Sequence, residues 1–139
     1  MSANACTHEP MEPFEASLAL DLFLLRDLRR ELAAWLARVR VADELRDDII
    51  LATHEAAANA IEHSRNGSDV TVRAERDANK VVIVITNSGR WQEPQSLDET
   101  RGRGLALIEH LMSDLDIQVK SQRTVVRMRK DLSAAAPGA

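Results

Sequence analysis

Cysteine is almost absent from this chain. Cys6 is the only one in 139 residues, so no disulfide can form within the chain. A single thiol in a polar segment, with neither a second cysteine nor a base beside it, does not indicate a metal site or a reactive nucleophile. A chain without a disulfide framework suits a reducing compartment, and we expect a cytoplasmic protein.

Long apolar runs and an excess of basic residues are also missing. The longest apolar stretch, Leu18 to Leu25, is interrupted by Asp21 and is much shorter than the roughly 20 residues that span a bilayer. No basic segment followed by an apolar run marks a secretory signal near the start. Lysine and arginine number 18 against 22 acidic residues, for a net charge of −4. This balance argues against contact with a nucleic-acid backbone, and we expect neither membrane nor direct nucleic-acid binding.

The remaining composition is that of an ordinary globular protein, with 45% hydrophobic and 29% charged residues. At this length one domain is expected, and it is long enough to bury a core without cross-links. We predict a single domain over residues 13–131. A flexible N-terminal tail would cover residues 1–12, and a disordered C-terminal tail would cover residues 132–139.

Hydrophobic periodicity divides the domain into helices and strands. Apolar residues recur at helical spacing in three segments and alternate with polar ones in the others. The predicted helices cover residues 18–38, 42–63 and 104–112, and the predicted strands cover residues 14–16, 69–76, 80–87, 116–120 and 124–130. Asp43 is the predicted N-cap of the second helix. This order predicts an α/β (α+β) two-layer sandwich, in which three helices cover one face of a mainly antiparallel sheet of four to five strands.

The first helix has a wider apolar face than one core contact requires, because Phe23, Leu24 and Leu25 are all apolar. Two interpretations stay open at this point. Either the helix packs on the sheet alone, or part of its face, with Phe23 and Trp35, also meets a partner or a second copy of the chain.

The second helix carries a polar strip among small residues, in the sequence HEAAANAIEH at residues 54–63. Glu55 and Asn59 are four residues apart and therefore lie one turn above each other. An amide oxygen suits direct ligation of Mg²⁺, and a nearby carboxylate can hold a metal-bound water or accept a proton from an attacking hydroxyl. The alternative is a solvated polar face. Because position 58 is alanine, the zinc pattern H-E-x-x-H is absent.

Two further segments are candidates for a ligand site. Gly102 and Gly104 flank Arg103 directly before an apolar helical run, where glycine lets the backbone approach a ligand and a helix start offers unpaired N–H groups to an anion. Residues 86–89, with the sequence TNSG, end the most apolar strand and can read the edge of a base. Taken alone, a G-x-G pair is more often a simple turn, and residues 86–89 are equally compatible with a strand-to-loop turn. The third glycine of a Rossmann fingerprint and a Walker A sequence are both missing.

The order and spacing of these three segments resemble the N, G1 and G2 boxes of the GHKL (Bergerat-fold) ATP-binding superfamily. Within it, residues 55–63 (EAAANAIEH) and 102–112 (GRGLALIEHLM) resemble the anti-sigma-factor serine/threonine kinases of the RsbW-like family. The resemblance covers residues 14–130, nearly the whole chain. It implies a Bergerat-type sheet that binds ATP with Mg²⁺.

The resemblance also implies a role for each matching position. Glu55 matches the catalytic carboxylate, and Asn59 matches the asparagine that holds Mg²⁺ in the ATP site. Residues 90–101 match the ATP lid, which is short here. The other ATP-binding positions are Asn87 and Gly89 in the G1 box and Gly102, Arg103, Gly104 and Leu105 in the G2 box, with Leu107 packed beneath.

One position departs from the family pattern. The G1 box normally reads Asp-x-Gly, and its aspartate accepts a hydrogen bond from the adenine amino group, whereas this chain has Asn87. An amide oxygen also accepts that bond, but it is uncharged, and the NH₂ group must point away from the adenine. We expect the loss of a charge-assisted bond to weaken adenine binding by about 1–2 kcal/mol.

The resemblance, together with the departure at Asn87, leads to two hypotheses about function. The first is an ATP-dependent kinase that phosphorylates a serine or threonine of a STAS-domain anti-anti-sigma factor and, when free, sequesters an alternative sigma factor. The second is a non-catalytic module that regulates either partner by binding, with a weakened nucleotide pocket. A histidine-kinase or chaperone ATPase fragment is a third reading, without a phosphoacceptor-histidine helix or second domain to support it. Family members are usually homodimers, so we expect a homodimer.

Overall fold

The computed structural model describes residues 12–18, 24–63, 70–87, 99–120 and 123–132, without the side chains of residues 18, 63, 99–104 and 120. The strands are β1 (Phe14–Leu18), β2 (Val70–Arg76), β3 (Lys80–Asn87), β4 (Asp114–Lys120) and β5 (Arg123–Asp131), and the helices are α1 (Leu24–Arg38), α2 (Asp43–His63) and α3 (Glu99–Leu111). Apart from Glu12 and Leu132, the predicted tails lie outside the described residues.

The strands form one antiparallel sheet in the order β1-β2-β3-β5-β4. Residues of the central strand β3 alternate between buried and half-buried, as expected for a strand with one covered face. In the β2–β3 hairpin the Asp77 carboxylate accepts hydrogen bonds from the backbone N–H groups of Asn79 (2.9 Å) and Lys80 (3.1 Å). Both bonds lower the pKa of the Asp77 carboxyl group, and the bond from Asn79 has the larger effect. The predicted two-layer sandwich is confirmed, with five strands and three helices in the described ranges.

Helix α1 buries one apolar face within the molecule. The buried side chains are Leu25, Leu28, Leu32, Trp35 and Leu36. The centroids of the Trp35 and Phe14 rings are 6.1 Å apart. The Trp35 indole N–H donates to the backbone oxygen of Glu12 at 2.7 Å. The described part of this face is therefore occupied by the core, as the first of the two interpretations expects. Phe23 lies outside the described residues.

Helix α2 is the central helix of the layer and contacts both α1 and α3. Four of its buried positions are small; they are Ala52, Ala56, Ala57 and Ala60. Small side chains let the helix lie close to the sheet, which places its polar strip beside the strand ends. No helix in the described part of the chain is long and apolar enough to cross a membrane.

Two boundaries near the start of the chain differ from the prediction. Leu18 belongs to β1, where it pairs with Val70, and α1 begins only at Leu24. Pairing with β2 overrides the helical spacing of the leucines, because strand formation depends on tertiary neighbours more than on local pattern. The backbone N–H of Arg46 donates to the carbonyl of Ala42 at 2.9 Å. Ala42 is thus the N-cap of α2, and Asp43 is its first helical residue.

Candidate functional site

Glu55 and Asn59 lie on the side of α2 that faces α3. Asp48, Glu55 and Asn59 are separated by seven and four residues and therefore share one side of the helix. The Asp48 carboxylate accepts a hydrogen bond from Lys130 Nζ at 3.0 Å, and the same amine donates to the backbone oxygen of Leu111 at the end of α3. Glu55 and Asn59 are both half-buried. The structure thus brings the two predicted side chains to the boundary between α2 and α3, where they keep partial exposure.

Asn87 ends β3 beside the same segment of α2. Its side chain is 1% exposed, and its Nδ2 donates to the backbone oxygen of Ala60 at 3.4 Å. Its Oδ1 is buried and has no hydrogen-bond partner among the described residues. A buried acceptor without a partner costs about 1–3 kcal/mol, and a ligand N–H group would remove that cost. Ala60 directly follows Asn59, so the unpaired acceptor and the predicted metal ligand belong to one region.

The backbone of Ala60 determines which way the Asn87 amide points. A carbonyl oxygen can only accept a hydrogen bond, so the NH₂ group of Asn87 must face Ala60 and Oδ1 must face the other way. This is the orientation that recognition of an amino group requires. A ligand carbonyl in the same position would meet the Oδ1 atom as a second acceptor.

Thr124 is a buried polar residue that the sequence analysis did not identify. It is 1% exposed and pairs with Asn87 across the β3–β5 ladder. The sequence does contain a pattern that points to Thr124. It is a threonine on the same face of β5 as Val126 and Met128, which are apolar and buried. Two adjacent polar residues therefore mark this end of an otherwise apolar sheet face.

The glycine pair does not precede the third helix as predicted. Helix α3 begins at Glu99, so Gly102 and Gly104 lie inside it. Glycine has a poor helix propensity, but an acidic residue in a first turn is favoured by the helix dipole, and Glu99 is the first residue of this helix. Leu105 is half-buried and packs against the core. The side chain of Arg103, all of Gly89 and residues 90–98 lie outside what the structure describes.

His54 lies on the other side of α2, towards α1. Its Nδ1 atom is buried and has no hydrogen-bond partner among the described residues. Burial lowers the pKa of His54, the positive charge of Arg29 lowers it further, and the neighbouring Glu55 raises it in part. The neutral form of the imidazole is therefore favoured more strongly than in an exposed histidine. His54 is not one of the predicted site residues.

A dependence of stability on pH follows from His54. The pKa of His54 is lower in the folded protein than in the unfolded chain, where it is about 6.5. At pH values between these two pKa values, the unfolded state therefore binds more protons than the folded state. The free energy of unfolding should be fully retained above the unfolded pKa and should fall as the pH drops towards the folded pKa. Urea unfolding at pH 7.5 and 5.5 measures this loss, which should be smaller for His54→Gln than for the unaltered protein.

The control for this measurement is His110→Gln, at an exposed position near the end of α3. Its stability should fall between the two pH values as much as that of the unaltered protein. An equal fall in His54→Gln would show that burial of His54 does not contribute.

The oxygen donors of this region suit Mg²⁺ held mainly by phosphates. No group of three or more His, Cys, Asp or Glu side chains comes together anywhere in the described ranges. Mg²⁺ does not need one, because it keeps several waters and takes only one or two protein oxygens beside substrate phosphates. The amide of Asn59 and the carboxylate of Glu55 are such oxygens, and they fit the ion on chemical grounds.

Known proteins share this fold. The family model of the histidine kinase-like ATPase domain matches residues 18–130. The crystal structure of the RsbU and RsbW domains of Rv1364c from Mycobacterium tuberculosis is similar with a TM-score of 0.68 and 24% identity, over 87% of this chain and 32% of that chain. The SiaB–SiaC complex from Pseudomonas aeruginosa gives a TM-score of 0.61 and 15% identity, over 94% of each chain. The histidine kinase domain of the blue-light-activated histidine kinase EL346 from Erythrobacter litoralis gives 0.56 and 20%, over 73% of this chain and 61% of that chain.

At these identities the solved structures show a shared fold, and this chain spans 32% of the Mycobacterium chain and 61% of the Erythrobacter chain. The match to the family model is stronger evidence than these structures, because it covers most of the chain. It agrees with the five-stranded sheet and with the order of its elements. The resemblance inferred from the three boxes is thereby confirmed, and the chain belongs to the histidine kinase-like ATPase domain family, with the GHKL fold.

Proposed function

We propose that this protein is an ATP-dependent serine/threonine protein kinase that acts as an anti-sigma factor. It binds Mg-ATP and transfers the γ-phosphate to a serine or threonine of a STAS-domain anti-anti-sigma factor. In its free state it sequesters an alternative sigma factor, as a homodimer in the cytoplasm. The proposed catalytic domain spans residues 13–131.

The observation that carries the nucleotide site is the Asn87 amide. Its Oδ1 is buried and unpartnered among the described residues, and its NH₂ group is engaged by Ala60. An acceptor of this kind, at the end of the central strand, suits the amino group of adenine. Membership of an ATPase-domain family supports the same ligand.

The other roles follow from position on α2 and α3. Asn59 would hold Mg²⁺ through its amide oxygen, and Mg²⁺ when bound would neutralise charge on the phosphates. Glu55, one turn earlier on the same side of α2 and half-buried, would accept the proton of the substrate hydroxyl. Backbone amides at Gly102 and Gly104, with Arg103 and Leu105, would bind the phosphates, and Gly89 would lie beneath the adenine.

The partners are proposed from the solved structures that share the fold. One of them contains RsbU and RsbW domains in a single chain, and another is a complex of SiaB with SiaC. Each of them contains a domain of this fold together with a second domain or protein. A sigma factor and a STAS-domain antagonist are the partners we propose for this chain.

A second candidate is a binding module without kinase activity. Two observations favour it: Asn87 stands where the family has aspartate, and α3 begins before the glycine pair. Both would weaken nucleotide binding without affecting the rest of the fold. Phosphoryl transfer to a STAS-domain protein decides between the two candidates.

Selectivity for adenine over guanine tests the Asn87 site. Calorimetry with Mg²⁺ should show ATP binding about tenfold or more tighter than GTP, because the guanine carbonyl would leave two buried acceptors facing each other, at a cost of about 1–3 kcal/mol. Asn87→Leu removes the acceptor and should abolish most of this preference. Thr86→Val, on the opposite face of the same strand, is the matched control and should leave it unchanged.

Asn87→Asp is the second arm of the same experiment. A carboxylate restores the charged acceptor of the family and should tighten ATP binding, while the loss of the bond to Ala60 should lower the stability of the free protein. Equal affinity for ATP and GTP in the unaltered protein, with no response to either substitution, would mean that this position does not read the base.

A further inference from the structure

Helices α1 and α2 carry opposite net charge and lie side by side. Helix α1 has four arginines against two acidic residues, whereas α2 has six acidic residues against one arginine. The helices contact each other, and because only residues 39–42 connect them, they are antiparallel neighbours. The start of α1 therefore lies at one end of the pair, and the start of α2 lies at the other.

The start of α1 is basic on the side that faces solvent and α2. Arg26 and Arg30 are four residues apart, share one side of the helix and are exposed. Between them, Arg29 is exposed and lies close enough to His54 of α2 to lower its pKa. Positive charge in the first turns of a helix opposes the helix dipole, so these arginines do not serve the stability of α1. Such a departure from a local rule is expected where a surface has another role.

The outward side of α2 is acidic at its start and apolar at its middle. Glu44 and Asp47 are exposed, and Leu51 follows them by seven and four residues on the same side of the helix. Leu51 is 42% exposed, and in the described ranges it shares this degree of exposure with one other large apolar side chain, Val119 of β4. The pair of helices thus presents an exposed leucine between a basic end and an acidic end.

The charges at these two ends are not neutralised between the helices. Each helix holds one internal ion pair near its start, and no ion pair joins α1 to α2 among the described residues. Arg26, Glu44 and Asp47 have no ion-pair partner in that part of the chain. An excess of one sign at each end favours contact with a surface that carries the opposite arrangement.

We propose that the outward face of α1 and α2 is the contact between two copies of this chain. A two-fold axis places the same patch on both copies. With the axis oblique to the helices, the start of α1 in one copy meets the start of α2 in the other, and the contact repeats at the opposite end. Leu51 lies between these ends and is then covered. The inference rests on the proposed homodimer and assigns its interface to the polar side of α1, since Trp35 on the apolar side is buried in the core.

The face of the sheet opposite the helices is the alternative surface for such a contact. Val84 lies near its centre, paired with Arg73 of β2 and with Arg127 of β5. A two-fold axis through Val84, along the strand or across it, brings arginine onto arginine. Electrostatic repulsion therefore opposes this arrangement, whereas it favours the one on the helices.

Sedimentation velocity of the full-length chain over a range of concentrations tests the proposal. The unaltered protein should form a dimer that weakens as salt rises from about 0.05 to about 0.5 M, because salt screens exposed charges. Leu51→Lys should weaken the dimer about tenfold or more, because it removes the apolar centre of the contact. Val119→Lys, at a side chain that is equally exposed, is the matched control and should leave the dimer unchanged.

Exchange of the charges provides an independent measurement. Arg26→Glu combined with Arg30→Glu makes both ends of the face acidic, and Glu44→Lys combined with Asp47→Lys makes both ends basic. Each double variant alone should be monomeric at concentrations where the unaltered protein is a dimer. An equimolar mixture should form a heterodimer, because opposite charges then meet at both ends. Recovery in the mixture also shows that both variants are folded.

Each contrary result overturns a particular statement. An unaltered protein that is monomeric at every concentration would overturn both this inference and the homodimer, while phosphoryl transfer would still test the kinase. A dimer that resists Leu51→Lys and both charge variants would overturn the inference alone. Its dissociation by Val84→Lys would then assign the contact to the sheet. Failure of the two charge variants to associate when mixed would contradict the pairing of the helix starts.

Discussion

Replacing Glu55 by glutamine should lower the rate of phosphoryl transfer to a STAS-domain antagonist by about 10²–10⁴-fold, the usual contribution of a general base. The substitution keeps the size of a half-buried side chain on α2 and removes its capacity to accept a proton at neutral pH. Binding of Mg-ATP should change little, because the proposed role concerns the substrate hydroxyl. Transfer from γ-labelled ATP measures the rate, and calorimetry measures the affinity.

The matched control is Glu62→Gln, seven residues further along the same side of α2 and exposed. It removes an equal charge from the same strip without touching the proposed chemistry, and it should leave transfer within about twofold. Equal losses in the two variants would indicate a general electrostatic effect of the helix. Full activity in Glu55→Gln would remove Glu55 from the mechanism, and no transfer in the unaltered protein would favour the binding module.

Replacing Asn59 by alanine should remove the dependence of ATP binding on Mg²⁺. The proposed ligand is one amide oxygen on a half-buried side chain, and loss of even a hydrogen-bond partner of a metal ligand costs about 10–100-fold in metal affinity. Calorimetry should therefore show ATP binding at least about tenfold weaker than in the unaltered protein when Mg²⁺ is present. In excess EDTA the two proteins should bind ATP alike, because neither then holds the ion.

An asparagine far from the site separates this effect from a general one. Asn79, exposed in the β2–β3 hairpin, contributes its backbone N–H to the turn. Asn79→Ala should bind Mg-ATP as the unaltered protein does. If Asn59→Ala retained its response to Mg²⁺, the ion would have to be held elsewhere, and the assignment would be withdrawn.

The predictions from sequence succeeded where a local pattern was strong. A run of β-branched residues placed β3 over residues 80–87, and the structure has the same bounds. The spacing of Glu55 and Asn59 placed them on one side of a helix, which holds for any α-helix regardless of its neighbours. The boundaries failed where neighbours decide. Leu18 joined a strand because β2 offers a pairing edge, and α3 extended through two glycines against their propensity.

The sequence by itself determined the class of fold, the family and the residue types available to a nucleotide site, because periodicity, composition and spacing are properties of a chain read locally. Only the tertiary structure decided what those residues face. The Ala60 carbonyl orients the Asn87 amide across 27 positions of sequence, and Lys130 reaches Asp48 across 82. A hydrogen bond depends on distance and direction in space, and neither can be read from the order of residues until the sheet and helices have brought them together.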